Sequence, residues 1–234
     1  MAQSAAQIIS LATQIAKAPG FTSQAQYYLN AILQELAETY DFDVNKVSTF
    51  SVTTNSTQGS NAGPYVLPAN YLRASKDEVN YLVQGEPYVM TQITIAQWRS
   101  LFEGQGVSDY PYNFATDFST VQSLGYPVAY IWPPANGSYV IQWPYFQQHT
   151  DISNFSLVPW FPLQTYLITR LAAELMRITD DTRLFPFLKD AEDMLRKYLI
   201  MKDDPDGYVK TVDLDRRYFN SPYGKLKATK ATVF

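Results

Sequence analysis

The residues of this chain that could do chemistry are few. His149 is the single histidine and there is no cysteine, so thiolate nucleophiles, disulfides and cysteine-held zinc are excluded. His149 stands two residues from Asp151, but no nucleophile-elbow pattern supplies a serine for an acyl-transfer triad. One histidine also leaves a histidine-based metal site three ligands short. Asp180 and Asp181 have the residue types of a paired-carboxylate acid/base centre, yet their position between two helical stretches suits a helix cap and turn. Asp204, Asp206 and Gly207 echo a calcium loop, but Lys202 falls on the first ligand position and Asp213 on the last, where glutamate is wanted. Gly224-Lys225 lacks the preceding glycine and following Ser/Thr of a phosphate loop. The reading is a non-enzymatic protein with no catalytic residue, metal or cofactor.

What the chain has instead is aromatic surface and uneven charge. It holds 18 tyrosines, while charged residues make up 17%, below the usual quarter. Tyrosine offers apolar area with a polar handle and is favoured where proteins meet. Tyr110, Tyr112 and Phe114 fall in a turn-rich stretch, Gly104–Gly125, which Tyr126 directly follows; the stretch is expected as a long loop, and these four residues as its contacts with a neighbour. With Tyr130, Trp132, Trp143 and Tyr145 they make the alternative candidate, a carbohydrate- or receptor-binding platform. Base stacking is disfavoured, because residues 104–147 contain no Lys or Arg.

The net charge of -4 divides sharply. Residues 208–234 carry six basic side chains against two acidic, which makes this tail +4 and leaves the rest at -8. The tail has too few apolar residues for a core, and ordering each residue costs about 1–2 kcal/mol in backbone entropy. It is expected to be an extended docking arm. Its anchors would be Tyr208, Tyr218, Phe219, Tyr223 and Phe234, with Arg216, Arg217, Lys225, Lys227 and Lys230 supplying charge.

Four helices and a β-rich module must position these features. Ile8, Leu11, Ala12 and Ile15 share a helical face that Pro19-Gly20 ends; Leu29, Ile32, Leu33, Leu36 and Tyr40 mark a second helix, with Ser23 and Gln26 as a capping box. From about Val44 the period becomes that of strands. Expected strands are Val47–Thr53, Tyr65–Pro68, Glu78–Val83 and Tyr88–Thr94, followed by a short helix at Ile95–Phe102. Val128–Trp132 and Tyr139–Trp143, joined through Pro-Pro-Ala-Asn-Gly, read as a β-hairpin. Helical spacing returns with Leu167, Leu171, Leu175 and Ile178, then with Leu184, Leu188, Ala191, Leu195 and Leu199. The expected fold class is α+β. A helical hairpin (1–44) and a C-terminal helix pair (158–203) form one bundle, with an antiparallel β-rich module (45–157) inserted and an extended basic tail (204–234). No signal peptide or membrane-spanning run is expected.

The order of motifs resembles the head-to-tail adaptor (tail accessory, connector) proteins of short-tailed bacteriophages, the podoviruses. The similarity lies in the helix pair ending in Tyr40-Asp41-Phe42, the element Leu67-Pro68-Ala69-Asn70-Tyr71-Leu72-Arg73 and the expected Tyr130–Trp143 hairpin with its Trp-Pro ends. It continues through Pro159-Trp160, Thr179-Asp180-Asp181, a further helix and the basic tail. The resemblance implies a homo-oligomeric ring, commonly of twelve subunits, beneath the portal protein and above the tail nozzle or tail-fibre proteins. DNA would pass through its channel without sequence-specific binding. It implies a place in the virion neck or tail after synthesis in the host cytoplasm.

Overall fold

A computed structural model describes residues 2–54, 63–102, 109–179 and 181–202. The tail anchors from Tyr208 to Phe234, together with Asp180 and Asp204–Gly207, lie outside the described residues. The fold is α+β, with six α-helices and eleven short strands among the described residues. By compactness the chain divides into two units. One comprises Gln7–Ala25 and the chain from Leu163 onward; the other comprises Ala2–Ala6 and Gln26–Pro162. The boundary at Gln26 falls inside the second helix.

In the helical unit, α1 (Ala5–Ile15) buries Ile8, Ile9 and Ala12. Its C-terminus closes on Lys17, which adopts a left-handed φ of 54°. There Lys17 N–H donates to Gln14 O (3.1 Å) and Ala18 N–H to Thr13 O (2.9 Å), which satisfies two carbonyls of the last turn. α5 (Gln164–Thr179) buries Leu167, Leu171 and Leu175 as the periodicity predicts, but Ile178 ends the stripe exposed. α6 (Leu184–Lys202) turns Ala191 and Leu195 inward and packs on α5. Asp181 turns the chain between them: its Oδ1 accepts the Arg183 backbone N–H (2.9 Å), and its carboxylate pairs with the Arg183 guanidinium. That pairing holds the Asp181 carboxyl down at about 2. No helix among the described residues is long and apolar enough to cross a membrane.

In the β-rich unit, most of α2 (Thr22–Thr39) precedes three small sheets. Sheet one orders β1 (Lys46–Val47), β11 (Tyr145–Gln147) and β4 (Tyr71–Ala74). Sheet two orders β2 (Ser51–Thr53), β10 (Val140–Gln142), β5 (Asn80–Val83) and β6 (Glu86–Val89). Sheet three orders β3 (Tyr65–Val66), β9 (Val128–Trp132), β8 (Asn113–Asp117) and β7 (Thr91–Gln92). All pairings are antiparallel except β7 with β8. Val52, Ile141 and Tyr81 from sheet two, Phe114 and Ile131 from sheet three, and Tyr71 and Tyr145 from sheet one meet around Trp143 in one core.

Two expectations change here. Val128–Trp132 and Tyr139–Trp143 do not form a hairpin, because β9 pairs with β3 and β8 whereas β10 pairs with β2 and β5. Pro133 and Pro134 have no N–H to extend the β9 ladder, and the segment is too long for a two-residue turn. The segment bonds elsewhere: Asn136 N–H donates to Asp109 O (3.1 Å), and Tyr139 N–H donates to Thr54 Oγ1 (2.8 Å). Secondly, Gly104–Gly125 is not one long loop. Its described part contains strand β8 and a short helix α4 (Val121–Leu124) ended by Gly125.

The hairpin that does form is β5–β6. Gln84 (φ 53°) and Gly85 (φ 92°) both lie in the left-handed region, which a two-residue turn of this twist demands. Gly63 serves differently. It has φ +109°, and a Cβ there would sit 2.6 Å from the Ala129 carbonyl oxygen, so only glycine lets β3 approach β9.

The motif around Leu67–Arg73 is structural. Leu67 and Tyr71 are buried, and the Asn70 side chain donates to Gln147 and accepts the Tyr145 hydroxyl. The Arg73 guanidinium bonds Asp41 and donates to the carbonyls of Glu38 (3.0 Å) and Ala37 (3.2 Å). A cation thus caps the C-terminal end of α2, where the helix dipole is negative. At the start of α1, Ala5 N–H donates to Leu157 O and Ala6 N–H to Phe155 O, each at 2.8 Å.

Candidate interaction surface

The segment that carries Tyr110 and Tyr112 is pinned on several sides. Asp109 N–H donates to Pro134 O (2.9 Å), Tyr112 N–H to Trp132 O (3.0 Å) and Thr91 N–H to Tyr112 O (2.8 Å). From beneath, the buried Tyr81 hydroxyl donates to Pro111 O (2.9 Å). Tyr110 N–H folds back onto Asp109 Oδ1 (2.8 Å). The backbone is therefore fixed while the Tyr110 and Tyr112 rings stay exposed. Such an arrangement suits recognition, because little entropy remains to be lost on binding.

The rings continue across the sheet. Tyr110 contacts Tyr139 (centroids 5.8 Å), Tyr139 contacts Tyr81 (5.0 Å), and Tyr81 contacts its cross-strand partner Tyr88 (5.4 Å). The Tyr139 hydroxyl donates to Asn136 Oδ1 (2.6 Å). Burial, and then the neighbouring Tyr110, push the Tyr139 phenol up; burial and the adjacent Tyr88, Tyr139 and Tyr110 push Tyr81 up further. These phenols stay protonated, so the patch is an amphipathic tyrosine surface with Asp109 at its edge.

The sequence-predicted residues fare differently. Tyr110 and Tyr112 lie on this surface. Phe114 does not: on β8 it is buried edge-to-face against Trp143 (4.8 Å), so it is core and unavailable to a neighbour. The period-2 alternation of β8 turns Phe114 inward, and the loop reading missed that strand. Tyr126 is half-buried, and its carbonyl accepts the Thr120 hydroxyl (3.1 Å). Trp132, Trp143 and Tyr145 are buried, and Tyr130 packs on Trp98 (4.4 Å). The eight-residue sugar platform is therefore not one surface.

Tyr81, Tyr88 and Tyr139 were missed as surface organisers. The signal was present in Tyr-Leu-Val-Gln-Gly-Glu-Pro-Tyr, where a two-residue turn sets Tyr81 opposite Tyr88.

His149 stacks on Trp160 (4.7 Å, planes 7° apart), and burial pulls its pKa down. Asp151 instead accepts the Gln34 side-chain amide at 2.6 Å. Asp117 is buried and held below its ordinary range, chiefly by the Ser119 hydroxyl (2.6 Å), with Arg99 at 3.7 Å. Among the described residues no group of three or more His, Asp or Glu could hold a metal ion. No protein-family model matches the chain, and no curated protein matches it in sequence.

Proposed function

We propose that this chain is a non-enzymatic structural protein of a short-tailed phage virion, a head-to-tail adaptor that forms a ring between the portal and the tail nozzle or fibres and lets DNA pass. The observation that carries the reading is the opposition of an acidic body (-8 over residues 1–207) to a +4 tail with spaced aromatic anchors. A basic tail with few apolar residues suits docking on a partner surface, and an acidic body does not retain the duplex that passes it. The resemblance in motif order supplies the identity of that partner, the portal. The pinned, exposed Tyr110 and Tyr112 support a second contact. A ring needs two different surfaces per subunit. The protein would reside in the virion neck or tail.

Co-sedimentation with assembled portals tests this. The full chain should bind portals, and a chain ending at residue 207 should lose at least ~100-fold in affinity, since most hot-spot side chains would be gone. Undiminished binding of the truncated chain would overturn the docking role of the tail.

A further inference from the structure

The outward face of sheet two carries no ionisable side chain. One row across its four strands is Ser51, Gln142, Asn80 and Val89, as the register fixes it. The next rung brings Thr53 and Val140 beside Leu82 and Pro87. In β2, β10 and β5 the residues Val52, Ile141 and Tyr81 point the other way and are buried, while the edge strand β6 is exposed throughout. Leu82 is 63% exposed, Val140 51% and Val89 49%. This neutrality contrasts with the unit around it. Residues 26–162 hold only Lys46, Arg73, Lys76 and Arg99 against eleven acidic side chains, a net charge of -7.

We propose that this face is where a second copy of the chain binds. Two copies repel wherever acidic surface meets acidic surface, and burying unpaired like charges is costly. A neutral, apolar-centred face lets them touch without that penalty, and depletion of charge is the mark of interface centres. Contact is through the face and not by strand addition. Met90 N–H bonds Val79 O, so alternation turns the main-chain groups of Pro87 and Val89 toward the free edge of β6. Pro87 has no N–H to offer there, which blunts the edge. With no Lys or Arg on the face, nucleic acid is not its ligand.

The test is the mass of the full-length chain, alone in solution, between ~1 and ~100 µM by sedimentation equilibrium. The wild type should gain mass with concentration. The L82E/V140E variant should associate on the order of 100-fold more weakly, because it places carboxylates in the contact. L82S/V140S, which adds no charge, should weaken association about 10-fold and guards against misfolding. F185E, at a 78% exposed position on α6, should leave association unchanged. Circular dichroism should show all three folded. A wild type that stays monomeric throughout, or an L82E/V140E variant that associates like wild type, overturns the proposal. Portal binding does not enter this measurement, so the outcome is separate from that of the tail truncation.

Discussion

Sheets two and three lie in one unit, each with four strands, yet they use the two sides of the pleat differently. In sheet three the central strand β9 is buried on both sides. Ala129 and Ile131 face the main core, while Trp132 packs with Trp98 and Ala115 and with Tyr130 beside them. Helix α3 (Ile95–Phe102) makes this possible, and Trp98 anchors it by donating its indole N–H to Ile131 O at 2.9 Å. Its start is fixed by a reciprocal cap between Thr94 and Gln97. Among the described residues no helix covers the outer face of sheet two, and in β2 and β10 the alternation runs buried to exposed. A covered sheet shows in sequence as a nearly continuous apolar strand, Val-Ala-Tyr-Ile-Trp; an open one shows as alternation. The open face is the one free to bind.

The largest effect should separate the two sides of sheet two. Trp143→Ala removes a fully buried side chain at the meeting point of three sheets and should cost about 3–5 kcal/mol in urea unfolding. Leu82→Ala, on the open face, should stay within about 0.5 kcal/mol when measured on the dilute, unassociated chain. Similar losses for both in the unassociated chain would mean that the chain itself covers the outer face.

A smaller effect would convert one sheet toward the other. Trp98→Ala uncovers Trp132 and Tyr130 and leaves Ile131 O without its indole donor, at a cost of about 2–4 kcal/mol. The variant should also bind a hydrophobic dye that the wild type does not. If dye binding and stability are unchanged, α3 does not shield sheet three. Trp98→Phe should lose only about 1 kcal/mol, the value of the hydrogen bond.

Helices α1, α2, α3, α5 and α6 were legible because a repeat near 3.6 is local and most of each stripe is buried or half-buried, whereas the single turn of α4 is too short to show one. The period of two in the sequence sets Tyr130 beside Trp132, and Tyr139 beside Ile141 and Trp143, so this grouping is legible locally. Which strands pair was not. The Pro-Pro-Ala-Asn-Gly stretch has turn chemistry, but the competing partners of β9 and β10 lie far away in sequence, at β3, β8, β2 and β5. β8 was hidden because Asn-Phe-Ala-Thr-Asp has little β-branched content; its partners β9 and β7, not its propensity, make it a strand. So Phe114 was placed on a surface it does not reach. In the tyrosine chain the Tyr81–Tyr88 pair is local to one hairpin, but its links through Tyr139 to Tyr110 need the same long-range pairing and were invisible for that reason.

The smallest expected effect concerns pH, and it again sets the buried side against the open one. The open face has no titratable group, whereas His149 is stacked on Trp160 with its pKa below the ordinary 6.5 because burial disfavours its charge. The unfolded chain therefore binds a proton in a range where the folded chain resists it, and stability must fall as pH drops below about 6.5. Below the lowered folded value both states are protonated and the loss levels off. No other histidine is present to blur this window. His149→Phe keeps a flat ring on Trp160 and removes the proton, so its unfolding midpoint should hold steady from about pH 7 down to about pH 5 while the wild type declines. Self-association through the open face should show no matching step over that range once the chain is folded. A step that persisted in His149→Phe would assign the titration to another group, and one that appeared in association would place a charge in the contact.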